Sequence, residues 1–229
     1  MNSDLVILDP NKITDISKQL LLENGKVKLL PYQEWLSYTW EDFRFFCHQH
    51  ARYGIPTREL VELIKNIIGA RSAIEIGAGA GDLGYHLGIP MTDSRIQEEG
   101  IVRAMYEKMG QPIIKYGIDV EKLESLEAVK KYKPQVVLAS WVTTFSPRET
   151  TFGSSPYGVK EKDILDLVET YILVGNLNFC GDKPIMKLPH SIIEAPHIIS
   201  RSINKEGNRV WVWDKRDVNQ VVCVKGEER

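Results

Sequence analysis

The run Glu75-Ile76-Gly77-Ala78-Gly79-Ala80-Gly81 decides the fold. The short apolar stretch 72–76 leads into it and reads as a buried strand. Residues 82–87 follow and read as a helix. A glycine cluster between a strand and a helix lets the backbone turn sharply and lets a ligand come close. The spacing narrows the choice of ligand. A dinucleotide loop needs Gly-x-Gly-x-x-Gly; Gly77 and Gly79 fit, but the third position is Asp82. A phosphate-binding P-loop needs Gly-Lys-Ser/Thr, and none follows.

Outward from the loop, strand and helix patterns alternate. Residues 89–92, 113–118, 135–140 and 171–174 read as further strands. The stretch 135–140 is the clearest, with Val136, Val137 and Leu138 in a row. Residues 94–109, 123–131 and 161–169 read as helices. Two last strands, 197–202 and 209–213, flank Lys205-Glu206-Gly207-Asn208, which has turn chemistry and predicts an antiparallel hairpin. The alternation predicts an α/β fold with a seven-stranded, mostly parallel sheet, helices on both faces and that hairpin at its end.

Residues 1–69 read as an N-terminal helical cap and residues 70–229 as the domain that carries the loop. The boundary is a change of pattern without a linker, so the two parts are expected to pack together. Helices are expected at 13–22, from Pro31, from Thr39 and over 58–68, the last capped by Thr57. Thr39 stands three residues before Asp42 in a capping-box-like arrangement. Eight of the 20 aromatic residues fall between Tyr32 and Tyr53. Their helical spacing points to packing of the cap, with the alternative that some roof a substrate pocket.

The 229 residues are 43% hydrophobic and 26% charged, with a formal net charge of -2. This is an ordinary globular composition, and no basic surplus indicates a nucleic-acid partner. Cys47, Cys180 and Cys223 are scattered without zinc-ligand spacing, so neither a metal nor a disulfide framework is expected. His48 and His50 lie two apart on a helix and point in different directions, which makes them poor joint ligands. The start, Met1-Asn2-Ser3-Asp4, carries no leader pattern, and no window reaches the roughly 18 apolar residues of a membrane span. A cytoplasmic protein without a membrane partner is the expectation.

The order acid, Ile, Gly, x, Gly, x, Gly resembles the first motif of the class I, Rossmann-like S-adenosylmethionine-dependent methyltransferases. The resemblance implies S-adenosylmethionine as cofactor. In that family the loop faces the methionine part, which implies contacts from Gly77, Ala78, Gly79 and Gly81. An acid two places before the first glycine holds the ammonium group, and Glu75 stands there. An acid at the end of the second strand grips the ribose hydroxyls. Asp93 takes that place, although only 12 residues after Gly81, closer than the family norm. Its alternative is a helix cap. An acid after the third strand accepts from the adenine amino group while its neighbour packs on the ring. Asp119 and Val120 match, with a capping aspartate as the alternative. The family's seventh strand is antiparallel, which 209–213 would supply.

Ser140 and Trp141 end the fourth strand, where they would border the transfer site; Trp141 could equally be core. The Asp/Asn-Pro-Pro-aromatic run of nucleic-acid amino methyltransferases is absent there, and so is a Pro-Cys pair. Both absences count against DNA methylation. The long connection 143–160, with Arg148, Phe152 and Tyr157, is expected to close over a substrate, with a disordered, functionless insertion as the alternative. Methyl transfer from a sulfonium needs alignment and exclusion of water more than a base. Tyr157, His190 and His197 are the candidate bases. A small-molecule methyl acceptor is the leading expectation. Its alternatives are RNA or protein methylation, or a catalytically inactive cofactor-binding partner protein.

Overall fold

The computed structural model describes residues 13–147, 153–202 and 204–217. Residues 1–12, Arg148, Phe152 and Cys223 lie outside the described residues. Seven strands build one sheet: β1 Ala73–Ile76, β2 Met91–Asp93, β3 Val120–Lys122, β4 Val136–Ser140, β5 Thr170–Asn176, β6 Ser191–Glu194 and β7 Asn208–Asp214. Their order is β3-β2-β1-β4-β5-β7-β6. Neighbours pair in parallel except at β7, which runs antiparallel to β5 and β6. The chain thus forms the expected Rossmann-like α/β fold with a mostly parallel seven-stranded sheet.

The longer helices are α1 Trp40–Gln49, α2 Arg58–Ile68, α3 Asp82–Leu87, α4 Gly100–Lys108, α5 Ser125–Tyr132 and α6 Glu161–Leu167. Two begin where hydroxyl caps stand. Thr39 accepts from the Asp42 amide, and Thr57 accepts from the Leu60 amide. Side chains alternate along each strand, so each strand feeds two cores. Ile74, Ile76, Val137 and Ala139 face one core, shared with Val129 of α5 and Ile164 of α6. Ala73, Val136, Leu138 and Ile172 face the other, covered by Leu60, Val61, Ile64 and Ile68 of α2.

Ahead of α2, the N-terminal residues have a core of their own around Leu20, Val27, Trp35, Phe43 and Phe46. Half of the eight aromatic residues, Trp35, Tyr38, Phe43 and Phe46, are therefore packing of this core. Gly54–Ile55 pairs with Ile199–Ser200 and sews this part to the stretch ahead of β7.

Four expectations need correction. The third strand is Val120–Lys122, not 113–118. The Ile114 amide is instead drawn to the Gln97 side chain at 3.0 Å, which pulls this stretch out of the sheet. The partner of β7 is Ser191–Glu194, not 197–202. Lys205–Gly207 does turn, as a 3-10 helix capped by Asn204. However, Asn208 of β7 clasps the Ile198 carbonyl through its side-chain amide and holds residues 198–200 outside the sheet. The helix expected over 94–109 is interrupted, as a 3-10 turn at Ile96–Glu98 followed by α4. Over 13–22 only Ser17–Leu20 is helical, and Pro31 sits just ahead of a single turn, Tyr32–Trp35.

Candidate functional site

Strand order reverses between β1 and β4, the place where open α/β sheets bind ligands beyond the carboxyl ends of their strands. The glycine loop leaves β1 there. Gly77, Gly79 and Gly81 all have left-handed backbone, with φ of 58°, 57° and 77°. A side chain at any of them would be strained. What surrounds each one differs. A Cβ on Gly77 would come within 2.6 Å of Val142. On Gly81 it would come within 2.7 Å of both Val120 and the Lys26 ammonium. On Gly79 it would meet nothing closer than Ile114 at 3.7 Å. Gly77 and Gly81 are thus required by protein packing, whereas a Cβ on Gly79 would be uncrowded, in ordinary contact with Ile114 alone.

Gly79 and Ile114 both line a cavity of about 610 Å³. Glu75, Gly77, Ala78, Gly79 and Asp93 line one end. Asp93 stands at the end of β2, 8% exposed. Its Oδ2 accepts from the Gly79 amide at 2.9 Å and its Oδ1 from the Arg95 amide at 2.8 Å. It is a local cap and a cavity wall at once. Burial raises its pKa. Glu75 is more deeply buried, and its Oε2 accepts from the Gly84 amide at 2.8 Å. Burial pushes the Glu75 carboxyl up to about 8. An unliganded site therefore keeps this proton near neutrality, and a cation beside it would favour its loss.

Ser140 and Trp141 line the cavity at the end of β4. Trp141 adopts φ of 57°, costly for a bulky side chain and concentrated in proteins at functional sites. Its indole lies against Gly54, where any side chain would overlap it. Its backbone amide is held by the Val174 carbonyl at 2.9 Å. Trp141 therefore both packs and borders the site.

The described parts of the long connection, 143–147 and 153–160, border the same cavity. Thr144–Phe145 pairs with Ser154–Ser155, and Thr144 also bridges to Val159. Tyr157, 54% exposed, lines the cavity with Gly153 and Pro156. The segment between β2 and β3 supplies another wall through Gln97, Met105, Tyr106, Ile114 and Tyr116. The Tyr106 hydroxyl bonds to Tyr53 of the N-terminal part, and burial lifts its pKa to about 12. Sequence reasoning missed this wall. Local pattern gives this stretch as a helix over 94–109 and a strand over 113–118, and neither reading shows that it borders the cavity.

Five of the expected site residues lie elsewhere. Gly81, Asp119 and Val120 are not cavity walls. Asp119 precedes β3, at its amino end, and pairs with Lys26 at 2.6 Å. Val120 is buried against the back of the loop. His190 stacks on Trp213 and bonds to the Leu188 carbonyl. His197 lies outside the cavity, where Thr57 donates to its carbonyl and burial lowers the pKa of its imidazole.

The charged residues in the described lining are Arg52, Glu75, Asp82 and Asp93. The Arg52 charge is paired: its Nε lies 2.6 Å from Asp82 Oδ2, outside hydrogen-bond geometry, and its other nitrogens donate to the carbonyls of His50 and Gly25. Among the described residues the cavity therefore offers carboxylates but no free cation. Among the described residues no cluster of three or more His, Cys, Asp or Glu could hold a metal ion. Nor is any helix among them long and apolar enough to cross a membrane.

No protein-family model matches the sequence, and no curated protein matches it. Among solved structures the chain is similar to ribosomal protein L11 methylase from Lactobacillus delbrueckii subsp. bulgaricus, at 14% identity and a TM-score of 0.32, over 73% of this chain and 80% of that one. It is also similar to a mutant of MtNAS, at 15% identity and a TM-score of 0.33, over 80% of this chain and 68% of that one.

Proposed function

We propose that this chain transfers a methyl group from S-adenosylmethionine to an uncharged or cationic small molecule. The observation that carries the proposal is Gly79: left-handed, uncrowded on its Cβ side, where Ile114 at 3.7 Å makes only an ordinary contact, and tied to Asp93 in the cavity lining. Packing accounts for the other two glycines but not for this one. A cofactor lying across Gly79 accounts for it. In this reading Glu75 faces the ammonium group and Asp93 offers its remaining lone pairs to the ribose hydroxyls. Neither acid meets a phosphate, which agrees with the absence of a free cation. The adenine end falls to the wall that holds Ile114 and Tyr116, in place of Asp119 and Val120.

When bound, the sulfonium supplies an electrophilic methyl group to an acceptor lone pair in line with it. The chain's own part is to align and to dry the site. Trp141, Tyr53 and Tyr157 enclose the acceptor end, and the cavity volume falls within the range of about 300–1,000 Å³ usual for small-molecule sites. A carboxylate or phosphate on the acceptor would meet no free partner there and would face Glu75 and Asp93. Tyr157 is the one candidate base that borders the cavity.

The test uses methyl-labelled cofactor and cell extract fractionated by size and charge. Label is expected in small, uncharged or cationic products. Label in RNA or protein alone would overturn the small-molecule reading. Tight cofactor binding without any labelled product would favour a binding protein over an enzyme.

A further inference from the structure

Lys26 is 2% exposed and lies outside the cavity, yet it touches the glycine loop. It sits in a tight hairpin where Leu21 bridges Val27 and Gly25 turns with φ of 77°. This hairpin thrusts the side chain behind the loop. There the ammonium donates to the Ala80 carbonyl at 2.6 Å and to Asp119 Oδ1 at 2.6 Å. It also lies 5.7 Å from the centre of the Tyr85 ring. Three donors thus meet a carbonyl, a carboxylate and an aromatic face, which compensates a buried charge. Two glycines make room for it. A Cβ on Gly81 would come within 2.7 Å of the ammonium, and one on Gly117 within 2.5 Å.

Neighbouring contacts act on the first turn of α3. The Val27 amide donates to Asp82 Oδ1 at 2.8 Å, and Arg52 Nε meets Asp82 Oδ2 at 2.6 Å. His86 contacts the Val27 carbonyl at 2.7 Å. The loop is therefore pinned from two sides. Asp93 holds the Gly79 amide in front, and Lys26 holds the carbonyl of the next residue behind.

We infer that Lys26 is a positioning residue for the cofactor, and that docking of the hairpin around residues 21–27 is coupled to occupancy of the cavity. Holding the Ala80 carbonyl fixes the Ala80–Gly81 peptide and thereby the course of the loop just after Gly79, so the surface a cofactor meets is set by a residue it does not touch. By linkage, a cofactor that selects this loop shape also holds the hairpin down. The inference rests on the cofactor proposed above.

The test compares Asp119→Asn with the double variant K26M/D119N. Asparagine keeps an acceptor for Lys26, so the two proteins differ only at the ammonium. The single variant is expected to bind S-adenosylmethionine within about threefold of wild type, and the double variant at least about tenfold more weakly, the worth of one charge-assisted hydrogen bond. Stability alone would not produce that split, because affinity is measured on protein that circular dichroism shows to be folded. Equal binding by the two folded variants would overturn the inference. Should the double variant not fold, hydrogen exchange on the wild type decides: saturating cofactor is expected to protect the amides of 21–28, and unchanged exchange there would overturn the coupling. Failure of the wild type to bind would instead remove the cofactor reading itself.

Discussion

The front and the back of the glycine loop are built from the same residue type for different reasons. At the front, Gly79 is open towards the cavity and its amide meets Asp93. At the back, Gly81 is crowded by Lys26, Val120 and Met91. One glycine leaves room for the proposed cofactor and the other makes room for the protein. A glycine-rich motif thus does not assign each of its glycines to the ligand; the neighbours of the missing Cβ do.

Substitutions at the two faces should separate these roles. Gly79→Val should give the largest effect on binding, a loss of at least about 100-fold in cofactor affinity, or about 2.7 kcal/mol. Its backbone strain should cost about 1–2 kcal/mol of stability, visible in denaturant melts. Gly81→Ala should invert the pattern. Overpacking costs about 1–3 kcal/mol in addition to strain, while folded protein keeps near-normal affinity. Wild-type melting by this variant would mean that the back of the loop is not crowded.

The pH dependence of Glu75 offers a further test. Its folded pKa of about 8 lies above the ordinary 4.5. Below pH 4.5 the folded and unfolded chains both hold the proton, and its contribution to stability is complete. As pH rises towards 8 the unfolded chain ionises first, so the stability of the unliganded protein falls across that window. Glu75→Gln should flatten this slope. Near pH 8 it should be more stable than wild type by about 1 kcal/mol or more, while binding cofactor less tightly. Thermal melts across the window give the answer, and parallel slopes would contradict it. Tyr157→Ala should have the smallest effect. Cofactor affinity should not change, and transfer of label to the acceptor should fall severalfold.

Much of the fold was legible because it rests on local pattern. The apolar strand before the glycines, the short helix after them and the row Val136-Val137-Leu138 each carry their meaning within a few residues. The edges of the sheet were less legible. Ser191–Glu194 is largely exposed at the sheet edge and lacks a buried alternating face, so 197–202 looked the better strand. The polar clasp of Asn208 on Ile198 that decides against it joins side chain to backbone and leaves no periodicity. Lys26 was illegible for a stronger reason. Its partners lie 54 and 93 residues away, and a lone lysine beside a glycine turn reads as solvated surface. The same separation hides the partner of Asp119, whose local pattern suits a ligand and which pairs with that lysine.

The most direct measurement is calorimetric titration of S-adenosylmethionine into the folded wild-type protein and into folded Gly79→Val. The account predicts saturable binding at one site by the wild type and none by the variant. A folded wild type that binds no cofactor, or a variant that binds it equally well, would contradict the claim that the open face of Gly79 is the cofactor cradle.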